Sequence, residues 1–389
     1  MAEPAAKQHV LTVDADGHVL EPRDTWSTYI DPAYRDRAIR IEIDERGDEV
    51  LLVDGRPIES IRNALAGLGG IELDPTRILE AKGDLRYEDG CPPGGYDPAA
   101  RLVVMDNEQI DIAMLYPTIG ICWEGAVTDA ALANAYTRAY NRYVVDFCSH
   151  DRSRLVPVAH ISLLDPEFAI EEAVRAREAG CVAVYVSPDM ASRGGKHLMD
   201  PAFDPFWSTL EDLDMSVGFH VVLRDRPFFR SWMPGRGNGG ELFNFAFLAI
   251  DVMAAFTQML AGGVFEVHPR LRCTVLECGA TWISAWLDRM DHKFEITKNM
   301  ARTTMKPSDY FFRQCIVSAD PDETVIAPIV EAVGADYFVW ASDYPHIDAS
   351  FGVVGEIRSR IASLSAADQA KVMGLNAARF YQLGVPAGV

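Results

Sequence analysis

From about residue 100 onward, short apolar runs alternate with amphipathic stretches of helical length. Ile110–Tyr116, Leu155–Leu163, Cys181–Val186, Ser216–Leu223, Arg272–Glu277, Cys315–Ala319 and Tyr337–Ser342 predict strands. Between and after them, Asp129–Phe147, Asp165–Ala179, Phe203–Leu213, Leu242–Leu260, Trp282–Ile296, Glu323–Val333 and Gly352–Leu364 predict helices. A last helix over Ala366–Tyr381 closes the chain, and an eighth strand, Val10–Asp16, stands near its start. Strands that are apolar at successive positions and spaced by helices imply a parallel sheet covered on both faces. Eight such units predict an α/β fold, a (β/α)8 TIM barrel, with its active site at the C-terminal ends of the strands. A doubly wound open sheet is the alternative, because βα alternation does not prove closure.

Residues 31–95 break the alternation. Ile39–Ile43 and Glu49–Val53 flank Arg46-Gly47-Asp48 and read as a β-hairpin. The expectation is an inserted cap over the barrel mouth, within a single domain spanning 1–389. A second irregular stretch, Arg224–Gly240, follows the fifth barrel strand. Long irregular loops on that face usually cover or contact substrate.

With 389 residues, 49% hydrophobic and 24% charged, the chain can build a large core. Its net charge of -21 argues against nucleic acid and anionic membrane surfaces as partners. The seven cysteines form no C-x-x-C pair, which suggests a reducing compartment. The start of the sequence has no leader pattern and no apolar run reads as long enough to span a bilayer, so a cytoplasmic protein is expected.

Ligand-type side chains gather at the strand ends. Asp14, Asp16 and His18 alternate at the end of the first strand, so all three are expected to project toward one space, with Glu21 on the loop beyond; Asp16 and His18 read as ligands and Asp14, one step deeper, as a partner that orients a ligand. His220 ends the fifth strand, Glu277 the sixth and Asp343 the eighth, with His346 just after. Four strands ending in ligand-type residues, three of them with carboxylates, are hard to explain as packing, because burying carboxylates unpaired is costly. A mixed carboxylate and imidazole set predicts a metal centre suited to iron, manganese or zinc. His160 could face the same pocket or sit in the core, and His268 should lie at the opposite face. Arg224, Arg226, Arg230 and Arg236 could clamp an anionic substrate or simply be solvated. Trp123, Phe228, Phe229 and Trp232 could line the pocket.

This pattern resembles the amidohydrolase-related superfamily, in the branch that includes aminocarboxymuconate-semialdehyde decarboxylase. The resemblance runs from Val10 to Leu383 and includes the tail Gly374–Tyr381. It departs at two places: Asp16-x-His18 stands where His-x-His or Glu-x-His is usual, and Glu277 where a histidine is usual. With Glu21 added, the inventory of Asp16, His18, Glu21, His220, Glu277 and Asp343 exceeds what one catalytic ion needs. That excess resembles a subgroup of these barrels that are non-haem diiron monooxygenases. The resemblance then implies two Fe ions, O2 activation and hydroxylation of a small carboxylic acid or coenzyme A thioester, with Asp343, Glu277 and His346 as catalytic groups and Arg224, Arg226 and Trp232 toward the substrate. The alternative is a decarboxylase or hydrolase holding one Zn or Mn, with Asp343 or His346 as acid and base. A homodimer is expected by analogy with the branch.

Overall fold

The computed structural model describes residues 9–223 and 240–384. Eight parallel strands form the central sheet: β1 (Val13–His18), β5 (Ile112–Tyr116), β6 (Leu155–His160), β7 (Ala183–Tyr185), β8 (Ser216–Phe219), β9 (Arg272–Val275), β10 (Cys315–Ala319) and β11 (Phe338–Trp340). They are neighbours in that order. Between β1 and β5 lies a separate antiparallel sheet of β2 (Arg40–Ile43), β3 (Glu49–Val53) and β4 (Arg56–Pro57). Closure of the barrel is made at its mouth. Asp343 N–H donates to the Asp16 carbonyl at 3.0 Å, and His18 N–H to the Tyr344 carbonyl at 2.8 Å. The predicted TIM barrel is therefore the observed fold, and the open sheet is excluded.

Burial explains why these runs become strands. Every residue of β1, β5, β6 and β10 is buried, as a sheet covered by helices requires. The helices start where short polar side chains cap them. Asp129 accepts from the N–H groups of Ala131 and Leu132, and Asp165 from that of Phe168. Helices beyond those predicted include Pro98–Glu108, capped by Asp97, and Pro307–Gln314. The C-terminal helix is not uniform: a π-turn over Lys371–Leu375 interrupts it. There Gly374 lies so close to the Leu11 carbonyl that a Cβ would stand 2.3 Å from the oxygen.

The helix Gly240–Ala261 corrects one expectation, because its stretch Leu242–Ala261 is long and apolar enough to cross a membrane, with mean hydropathy 1.5. Its second half is a barrel helix: Val252, Ala255, Phe256, Met259 and Leu260 are buried in the core. All seven cysteines are free thiols.

The insertion meets the barrel mouth. Residues 65–72 run against the loop after β11, where Ile71 N–H donates to the Pro345 carbonyl at 3.1 Å. Gly90 approaches Ala66 so closely that a Cβ would lie 1.8 Å from the carbonyl oxygen. Arg23 ties the insertion together through Glu49 and Glu88.

Candidate metal centre

Strand β1 does not treat its three ligand-type residues alike. Its register on β5 shifts between Asp14 and Gly17. Asp14 is spent on closure: it accepts from Ser342 N–H at 2.9 Å, from Ser342 Oγ at 2.6 Å and from Asp16 N–H at 3.3 Å. The expectation that all three side chains share one space therefore holds for Asp16 and His18 only. Beside Asp14, the buried Arg101 donates to the His18 carbonyl at 2.8 Å and lies over the Tyr344 ring at 4.6 Å.

His18 is fully buried, and its Nδ1 lies 3.0 Å from the Pro117 carbonyl. A carbonyl only accepts, so Nδ1 carries the hydrogen and Nε2 presents a lone pair. That lone pair faces Asp343 Oδ1 at 3.2 Å, His220 Nε2 at 3.2 Å and Asp16 Oδ1 at 3.6 Å. His220 repeats the pattern, with Nδ1 2.8 Å from the Val221 carbonyl and Nε2 turned inward, 3.8 Å from Asp16 Oδ2. Neither Asp16 oxygen has a hydrogen-bond partner, although the residue is buried. Lone pairs from two imidazoles and the unpartnered Asp16 carboxylate thus converge beside Asp343, which alone faces a donor, the His346 ring. Such an arrangement is repulsive unless a cation sits within it, so the residues present fit a bound metal ion.

The electrostatics agree with this. Burial, with His346 and His220 nearby, lowers the His18 imidazole to about 3, which keeps it neutral and able to bind metal. Burial pushes the Asp16 carboxyl well above its usual range, against the opposing pull of His220. Burial also works to raise Asp343, but His346 and His18 outweigh it and hold that carboxyl well below the usual range. In return, Asp343 overcomes the burial of His346 and lifts its imidazole to about 9. His346 sits between Asp343 Oδ1, 2.9 Å from Nδ1, and Thr118 Oγ1, 3.1 Å from Nε2. Its ring lies on that of His18 with centroids 4.0 Å apart.

Glu277 reaches the rim of the cluster, with Oε2 2.9 Å from His220 Nε2. Glu277 and Asp343 both have left-handed backbones, at φ 46° and 53°. Two strand-end carboxylates held in a conformation that costs a non-glycine residue about 1 kcal/mol mark a constrained site. Sequence reading missed Asp348, an exposed carboxylate that groups with Glu277, Asp343 and His346. Its signal was present, two residues after His346. It also missed Thr118 and the Pro117 carbonyl, which only the tertiary structure brings to the histidines.

Glu21 is a correction. It was expected to mark a second ion, but its carboxylate accepts from the N–H groups of Ile119 at 2.8 Å and Gly120 at 3.2 Å. Those bonds occupy both oxygens away from the cluster. His160 is buried and pairs with Glu124 at 3.2 Å, packed against Trp123 and Tyr185. His268 lies before β9, at the end of the barrel opposite the cluster, between Asp204 and Glu211. Arg224, Arg226, Arg230, Arg236, Phe228, Phe229 and Trp232 lie outside the described residues.

A family model described as amidohydrolase matches residues 13–383. Gamma-resorcylate decarboxylase of Rhizobium sp. (strain MTP-10005) is 25% identical over 302 residues, 73% of this chain and 86% of that protein. The crystal structure of an amidohydrolase from Mycobacterium avium subsp. paratuberculosis K-10 superposes with a TM-score of 0.77 at 21% identity, covering 97% of this chain and 100% of that one. A 5-carboxyvanillate decarboxylase from Novosphingobium aromaticivorans, complexed with manganese and 4-hydroxy-3-methoxy-5-nitrobenzoic acid, gives 0.67 at 20% identity, covering 97% of each chain. These likenesses do not support two Fe ions or the O2-activating monooxygenase. The decarboxylase relatives fit the alternative reading better, and with Glu21 turned away the surplus of ligands that suggested a second ion is reduced.

Proposed function

The chain belongs to the amidohydrolase family and is a metal-dependent barrel enzyme of that superfamily, and on this premise we propose that it is a non-oxidative decarboxylase of a small anionic aromatic acid. One divalent ion, manganese or zinc, would be held by Asp16, His18, His220 and Asp343. Bound there, such an ion supplies positive charge that holds a carboxylate and draws electron density from the bond to be broken.

The remaining work falls to side chains. Loss of CO2 leaves the electron pair on the ring carbon, and that carbon must take up a proton. His346, protonated between Asp343 and Thr118, is the group placed to supply it, directly or through Asp343. Burial of His18, His220 and Asp16 keeps water from competing. Glu277 reaches His220 Nε2 from the rim of the cluster and can hold a second proton or orient a ring hydroxyl.

The observation that carries this reading is the set of converging lone pairs beside an imidazole able to give up a proton. Protein reconstituted with manganese should bind one ion per chain and release CO2 from 2,6-dihydroxybenzoate or a related hydroxybenzoate without consuming O2. Turnover that requires O2, in an iron-loaded preparation, would sink the proposal.

A further inference from the structure

Glu21 is fully buried, and its carboxylate contacts two main-chain amides rather than a cationic side chain. Burial raises this carboxyl to about 7, so the group is costly where it stands. A residue kept for packing alone would be better served by an apolar or amide side chain. The amides it holds belong to the turn that follows β5. The same turn presents the Pro117 carbonyl to His18 Nδ1 at 3.0 Å and Thr118 Oγ1 to His346 Nε2 at 3.1 Å. Four consecutive residues, Pro117 to Gly120, therefore join one buried acid to two histidines of the cluster. The Glu21 backbone is itself clamped, with Tyr87 Oη donating to the Glu21 carbonyl at 3.0 Å and Tyr143 Oη to the Leu20 carbonyl at 2.6 Å.

We propose that Glu21 is a positioning residue: by pinning the Ile119 and Gly120 amides it fixes the turn that sets the His18 tautomer and aligns His346. The consequence for metal binding rests on the reading of His18 as a ligand. Only the tautomer with hydrogen on Nδ1 leaves Nε2 free to bind an ion, and partners that hold a ligand's other ring nitrogen typically change metal affinity 10- to 100-fold.

Two readouts test this in the full-length protein. Imidazole 15N spectra of the metal-free protein at pH 8 report the His18 tautomer, and titration with Mn2+ reports affinity. In the wild type, His18 should appear as the single Nδ1–H form. Glu21→Gln offers one acceptor and turns an amide NH2 toward the second N–H, so it should show mixed tautomers and bind Mn2+ roughly 10-fold or more weaker. Glu21→Asp, which keeps the charge but ends a methylene short, should give both changes at smaller amplitude and serves if the glutamine variant does not fold. Tyr87→Phe, which loosens the clamp on the Glu21 carbonyl, should lower thermal stability and move tautomer and affinity in the same direction by less. A Glu21→Gln protein with an unmixed Nδ1–H signal and affinity within twofold of wild type overturns the proposal. Should Glu21→Gln mix the tautomers while the wild-type protein binds no Mn2+, the positioning stands and the ligand reading fails.

Discussion

The Asp343 N–H donates to the Asp16 carbonyl at 3.0 Å, so the hydrogen bond that closes the barrel joins the two residues whose carboxylates flank His18 Nε2. Backbone closure and the candidate metal centre are one construction. Without a cation, Asp16 is a buried carboxylate with no hydrogen-bond partner. Asp16→Asn should therefore raise the melting temperature of the metal-free protein. The same change should abolish the stabilisation that Mn2+ gives, which for the wild type at a hundredfold excess over Kd is about 2.7 kcal/mol. Calorimetry with and without Mn2+ reads both effects, and a variant still stabilised by Mn2+ contradicts the assignment of Asp16.

Asp14 has a different fate to be measured. It takes two hydrogen bonds from Ser342 across the closure and one from Asp16 N–H on its own strand, and Arg101 is the cation nearest in influence. Asp14→Ala should cost about 3 kcal/mol in urea denaturation, since it strands the buried guanidinium and frees Ser342. Ser342→Ala should cost about 1 kcal/mol. Equal losses for the two would show that Arg101 does not depend on Asp14.

The Glu21 carboxyl titrates near 4.5 when exposed and at about 7 in the folded protein. A raised acid binds its proton more tightly when folded, so its contribution is present below pH 4.5 and is lost as pH rises toward 7. That loss is about 3 kcal/mol for a shift of this size. Other groups titrate in the same window, His18 among them with the opposite sign. The informative quantity is the wild-type stability minus that of Glu21→Gln. It should fall between pH 4.5 and 7 and be flat above, and a difference that stays level with pH is the contrary result.

Gly90→Ala would place a methyl 1.8 Å from the Ala66 carbonyl, where only backbone could yield. The insertion should open between residues 65–72 and 87–90, with a loss of more than 3 kcal/mol or earlier cleavage by protease near residues 60–95. A Gly90→Ala protein that melts and resists protease like the wild type would show that this contact is not needed.

The barrel was legible because its strands are apolar on both faces, and Asp16, His18, His220 and Asp343 were legible because each ends such a run. What failed were inferences that need a direction in space. Alternation along β1 could not foresee the register shift that sends Asp14 to Ser342. Three residues of spacing from His18 could not say where a loop would point Glu21. The helix Pro98–Glu108 carries its cap at Asp97-Pro98, but the unbroken apolar run Leu102–Met105 obscures a helical period. Thr118 leaves no mark at all in the sequence, because its role comes only from proximity to His346, 228 residues away.

The bonds between Asp16 and Asp343 and between His18 and Tyr344 also set an order in time. A chain emerging from the ribosome exposes Asp16 and His18 first, yet they cannot form the centre until β11 has been made and has docked beside β1. Nascent barrels lacking residues beyond about 340 have no partner for those backbone groups and only part of the ligand set. An ion taken up at this cluster would therefore meet its full set of side chains only after the last strand has docked.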